Sequence, residues 1–64
     1  MKIKEKVYIK GRGIILILDI PDENLKINDN IVYNNKNYKI TGIEGSRNLL
    51  NGSYLNMALL VREI

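Results

Sequence analysis

The sequence contains no cysteine, no histidine, no tryptophan and no phenylalanine, and a single proline. Each absence excludes something. Without cysteine there are no disulfides to staple a small domain. Without cysteine or histidine the ordinary zinc ligand sets are missing, so no metal site is expected. Without histidine there is no Ser-His or Cys-His pair, and nucleophilic catalysis loses its usual base. The seven acids Glu5, Asp19, Asp22, Glu23, Asp29, Glu44 and Glu63 are scattered along the chain. Asp22 and Glu23 adjoin Pro21, where adjacent acids belong to a solvated turn. Gly11-Arg12-Gly13 lacks the rest of a phosphate loop, and Asp29-Asn30 lacks the rest of a calcium loop. The residues therefore predict no enzyme and no cofactor.

The longest apolar run, Ile14 to Leu18, is far below the roughly 20 residues of a spanning helix. No basic-then-apolar leader opens the chain. A cytoplasmic protein with no membrane partner is the expectation. At 64 residues and 7.4 kDa, residues 1–64 form one domain. Such a domain buries only about 60% of the surface its unfolded chain exposes. The formal charge is +3 and the pI is near 9.3, which suits contact with a polyanion without requiring it.

What the chain does contain is short-period hydrophobicity. Ile3, Glu5, Val7 and Ile9 alternate with Lys2, Lys4, Lys6, Tyr8, Lys10 and Arg12, the pattern of a half-buried strand. Gly11 and Gly13 mark a bend or bulge. Ile14–Leu18 and Leu55–Val61 read as strands that are apolar on both faces. Ile31–Tyr33 and Tyr38–Thr41 read as a hairpin across Asn34-Asn35, with Gly42 as a bulge and Ile43 continuing the strand. Asn28-Asp29 and Asn51-Gly52 supply further turns. No segment carries a sustained helical period. The predicted fold is all-β: a small closed or partly open antiparallel β-barrel, with Ile9, Ile17, Ile40 and Leu59 in one shared interior. The second apolar faces need cover, from the chain itself or from a partner.

Two surfaces follow. The cationic positions Lys2, Lys4, Lys6, Lys10 and Arg12, with Tyr8 among them, form a candidate ribbon for nucleic-acid phosphates, with Tyr8 placed to stack on a base. The same lysines also serve an ordinary purpose, deterring edge-to-edge aggregation. The surplus apolar strand surface is the alternative: a protein-interaction or homodimerisation face.

Four segments, in order, resemble the second, β-barrel domain of elongation factor Tu and related translational GTPases. Val7-Tyr8-Ile9-Lys10-Gly11-Arg12-Gly13-Ile14-Ile15 is similar to the entry into that family's Gly-Arg-Gly strand. Leu25-Lys26-Ile27-Asn28-Asp29-Asn30-Ile31-Val32 is similar to its Leu-Lys-Val-Gly-Asp turn, with Asn28 in the glycine position. Ile40-Thr41-Gly42-Ile43-Glu44, then Arg47, Leu49 and Leu50, is similar to its Val-Thr-Gly-Val-Glu stretch. Asn56-Met57-Ala58-Leu59-Leu60-Val61-Arg62 is similar to its closing strand. The resemblance covers roughly Glu5 to Ile64. It implies a translation-factor barrel that binds RNA, the ribosome or a translation factor. It also implies a pocket for the terminal adenosine of tRNA at the matching positions Glu44, Arg47, Leu49 and Asn56. Ile14 and Leu18 depart from the family's pattern, and the GTP-binding and third domains that complete its tRNA cleft have no counterpart in this sequence. By residue type alone, Glu44 and Arg47 also fit a surface ion pair, and Leu49 and Asn56 fit a core and a turn position.

Overall fold

A computed structural model describes residues 2–64. Five strands account for the regular structure: β1 (Ile3–Ile9), β2 (Gly13–Leu18), β3 (Asn30–Tyr33), β4 (Lys36–Glu44) and β5 (Ala58–Glu63). They make one antiparallel sheet in the order β1-β2-β5-β4-β3. The sheet is not closed: β1 and β3 are its two edges. The all-β, antiparallel expectation holds, and a closed barrel is not formed. No helix among the described residues is long and apolar enough to cross a membrane.

The turns follow from local chemistry. The β1–β2 hairpin closes through a bond from Arg12 N to Ile9 O at 2.9 Å, with Gly11 at φ +87° in the third turn position. That left-handed position costs glycine nothing and defines a type II turn. The β3–β4 hairpin uses Asn34 and Asn35, both at positive φ, which is the type I′ turn suited to the twist of two-residue hairpins. Lys26–Asp29 is a third turn. Asp29 N donates to Lys26 O at 3.1 Å, Asp29 Oδ2 accepts from Lys26 N, and Asn28 sits at φ +79°. Asparagine tolerates this conformation because its short polar side chain bonds locally. Asn28 N and Ile40 N then tie this turn to β4.

One face of the sheet is the core. Register places Leu16 beside Leu59, and Ile14 beside Val61, which in turn neighbours Ile40. Leu16, Ile40 and Leu59 are 0% exposed, and Leu18, Ile31, Tyr38, Met57 and Val61 complete the buried cluster. No polar or charged residue is buried among the described residues. Burying one such aliphatic side chain contributes about 1.5–3 kcal/mol, so this cluster is what holds so short a chain together.

The interior differs from the expected one in a specific way. Ile40 and Leu59 belong to it, but Ile17 is half-buried on the opposite, outer face beside Ala58, and Ile9 is exposed. Ile17 alternates with Leu16 and Leu18, which take the core positions of β2; for Ile9 the cause is a bulge in β1. Between Ile3 and Glu5 the register with β2 slips by one residue, and a one-residue slip reverses which side chains face inward. Ile3 therefore packs against the core, while Val7 pairs with outer-face Ile15. A second slip falls between Ile40 and Gly42, so Thr41 is the extra residue beside the glycine expected there. The last strand is also shorter than expected, since Leu55 lies outside β5 and is exposed.

Candidate functional site

The bulge in β1 also divides the cationic ribbon. Lys4 lies within the bulge. Lys6 and Tyr8 pair with Leu16 and Ile14 and so stand on the inner-face side of the edge strand. Lys2 is held by Asp19, with Nζ 3.5 Å from Oδ2 and Asp19 N bonded to Lys2 O. Lys10 occupies the hairpin turn, and Arg12 pairs with the carboxylate of Glu44. The six residues thus form no single row. Tyr8 is 73% exposed and open to solvent.

The Arg12–Glu44 pair joins residues 32 apart in sequence. Register puts Glu44 on the outer face with Ala58 and Ile17, so the ion pair lies on that face. Outer-face Ile15 is nevertheless only 6% exposed, which shows that the chain covers much of its own second apolar surface. Both ends of the pair are about half exposed, and pairs of that kind contribute 0–1 kcal/mol.

The four positions of the resemblance-derived pocket gather around the segment 45–57 but do not line a common cavity. Arg47 donates to Gly52 O at 2.9 Å and to the Tyr54 hydroxyl at 2.7 Å, and its guanidinium carbon lies 4.1 Å from the Tyr54 ring centroid. Asn56 Oδ1 accepts from Ser46 N. Leu49 is 99% exposed, which corrects the core role its residue type suggested, and Leu50 is 96% exposed. Glu44 is engaged with Arg12 as above. The segment is a tight hairpin in its own right: Arg47 bridges to Tyr54, Asn48 N bonds Ser53 O at 2.7 Å, and Gly52 N bonds Asn48 O at 2.8 Å. The side chains of Asn48 and Asn51 accept from Leu50 N and Ser53 N. These bonds fix the backbone that presents the two leucines. Arg47→Ala removes both bonds and the ring stacking. It should cost about 1 kcal/mol and speed amide exchange at Asn48, Gly52 and Ser53 while leaving Leu16 and Leu59 protected.

Sequence reasoning missed a further pair. Lys39 and Arg62 are direct cross-strand neighbours on β4 and β5. Their parity is opposite to that of core residues Tyr38, Ile40 and Val61, so both lie on the outer face. No carboxylate pairs with either among the described residues. The signal was the register itself, which a chain read alone does not show. Elsewhere, a shallow open concavity is lined by Lys2, Ile20, Pro21, Asp22, Glu23 and Asn24. No group of three acids able to hold a metal ion occurs among the described residues.

No protein-family model matches the chain, and no curated protein or solved structure matches it significantly.

Proposed function

We propose that the protein is a non-catalytic binding module of the translation-factor barrel type whose partner is RNA, free or within the ribosome. The observation that carries this reading is the distribution of its positive charge. Of ten Lys and Arg residues, Lys2, Arg12 and Lys36 pair with carboxylates, and Arg47 is engaged with Tyr54 and Gly52. Lys4, Lys6, Lys10, Lys26, Lys39 and Arg62 have no such partner among the described residues. Cations without a carboxylate partner can neutralise phosphates and release the counterions condensed on them. The resemblance supports the same partner class.

The test is binding of a fluorescent 12-nucleotide RNA over a range of salt. Affinity should fall linearly on a log–log scale, with a slope near −0.7 for each phosphate neutralised on a single strand. Affinity independent of salt, or no binding at low salt, would refute RNA as the partner.

A second reading rests on Leu49 and Leu50: two almost fully exposed leucines on a self-bonded hairpin suit an apolar pocket on a protein partner or on a second copy. L49S/L50S should leave RNA affinity unchanged if charge is what binds. A wild-type chain that dimerises in sedimentation, with the double variant monomeric, would favour this second reading instead.

A further inference from the structure

We infer that Lys39 and Arg62 form the principal phosphodiester-binding site, on the outer face of β4 and β5; the inference rests on the RNA reading and says where the strand lies. Three observations place it there. First, the two cations are directly opposed, and like charges so placed in an antiparallel pair destabilise it. No carboxylate relieves that repulsion among the described residues. An anion bound between them does relieve it.

Second, access is open. Asn30 neighbours Lys39 across β3–β4, and Gly13 and Arg62 adjoin the paired Ile14 and Val61 on β2 and β5. Asn30 offers a side-chain amide to sugar or phosphate, and Gly13 adds no side chain to block a strand; a Cβ built on it would have nothing within 4 Å. Lys39 is half-buried, and a lysine in that setting lays its stem along apolar surface and keeps its ammonium in water.

Third, the outer face around the pair holds no aromatic ring. Tyr8 and Tyr38 have inner-face parity, pairing with Ile14 and Ile31, and Tyr54 is stacked with Arg47. Without a stacking platform the site takes the backbone and not the bases. The ligand is therefore a single-stranded phosphodiester chain read without sequence preference. The site differs in place from the resemblance-derived pocket: Lys39 and Arg62 lie toward the start of β4 and the end of β5, whereas Glu44, Arg47, Leu49 and Asn56 lie at or beyond the opposite ends of those strands.

The experiment compares the full chain with K39Q/R62Q and with K4Q/K6Q/K10Q, each titrated against a labelled 12-mer of poly(U) and the DNA equivalent over a salt series. The inference predicts at least a tenfold loss of affinity at low salt for K39Q/R62Q. It also predicts a salt slope shallower by roughly 1.4, two phosphates at about 0.7 each, a smaller effect of the triple variant, and equal losses on RNA and DNA. Thermal unfolding of K39Q/R62Q should be unchanged or raised, since like-charge repulsion is removed. If the wild type binds and K39Q/R62Q binds as well, while the triple variant does not, the site is overturned and the RNA reading survives. If the wild type binds neither strand, the RNA reading fails and the site with it.

Discussion

Leu59→Ala should leave most of the chain unfolded at 37 °C. Leu59 is 0% exposed and sits between Leu16 on β2 and Ile43 on β4, so it touches both halves of the sheet's inner surface. Removing its isobutyl group loses transfer free energy and leaves a cavity, together about 2–5 kcal/mol. Domains of ordinary stability have only about 5–15 kcal/mol in hand, and a 64-residue chain falls at or below the low end of that range. The comparison that isolates the cause is Leu60→Ala. Leu60 is the neighbouring residue, half-buried on the outer face beside Ile15, and should cost less than half as much. Equal losses at the two positions in urea melts would show that the sheet has no single inner face.

Gly45→Ala should be nearly as damaging, for a different reason. Gly45 follows β4 where the chain passes close to the start of β5. A methyl group there would collide with the carbonyl oxygen of Asn56 and lie 3.1 Å from Met57 Cα. Those atoms are backbone, and Met57 is 2% exposed in the core, so neither yields without moving the strand. Overpacking of this kind costs about 1–3 kcal/mol. It also separates Asn56 from Ser46, whose N–H donates to Asn56 Oδ1 at 2.9 Å. The expected result is a lower midpoint in urea together with rapid amide exchange throughout 46–56. Gly52→Ala is the control: it too has positive φ, at +74°, but open space around it, so only the backbone strain of about 1 kcal/mol remains. A Gly45→Ala protein as stable as wild type would mean that β4 and β5 do not approach so closely at this end.

Much of the fold is legible in the residues because its turns are chemically explicit. Asn34-Asn35 and Ile27-Asn28 each carry the residue type that their positive φ requires, and the strands between them are rich in β-branched residues; Gly11, expected at a bend or bulge, instead reverses the chain between β1 and β2. What was not legible was the parity of β1. The alternation of lysines with Ile3, Val7 and Ile9 is real in sequence, but the slip between Ile3 and Glu5 turns the rest of the strand over. The bulge in β4 was marked by Gly42, but the one in β1, with Lys4 as the extra residue, has no glycine to signal it. That single feature split the predicted ribbon and removed Ile9 from the core.

The site was legible only in fragments, for a related reason. Glu44, Arg47, Leu49 and Asn56 are matched through the resemblance and do cluster at one loop. Their bonds, however, are to Arg12, Tyr54, Gly52 and Ser46, and Leu49 faces solvent. Lys39 and Arg62 are separated by 23 positions in the chain and meet only through the antiparallel pairing of β4 with β5. Pairing register is a property of the folded sheet. A linear scan for runs of positive charge favours the crowded N-terminal lysines and passes over two isolated ones that the sheet brings together.

An outer face of β4 and β5 that holds a phosphate backbone, over an inner face that holds the fold, has a direct signature in solution. Amide chemical-shift mapping on titration with a 12-nucleotide RNA tests both halves in one experiment. The predicted result is a contiguous set of shifts at Asn30, Lys39, Arg62 and Gly13, with Leu16, Ile31 and Leu59 unmoved. Shifts centred on Leu49 and Leu50, or no shifts at low salt, would contradict it.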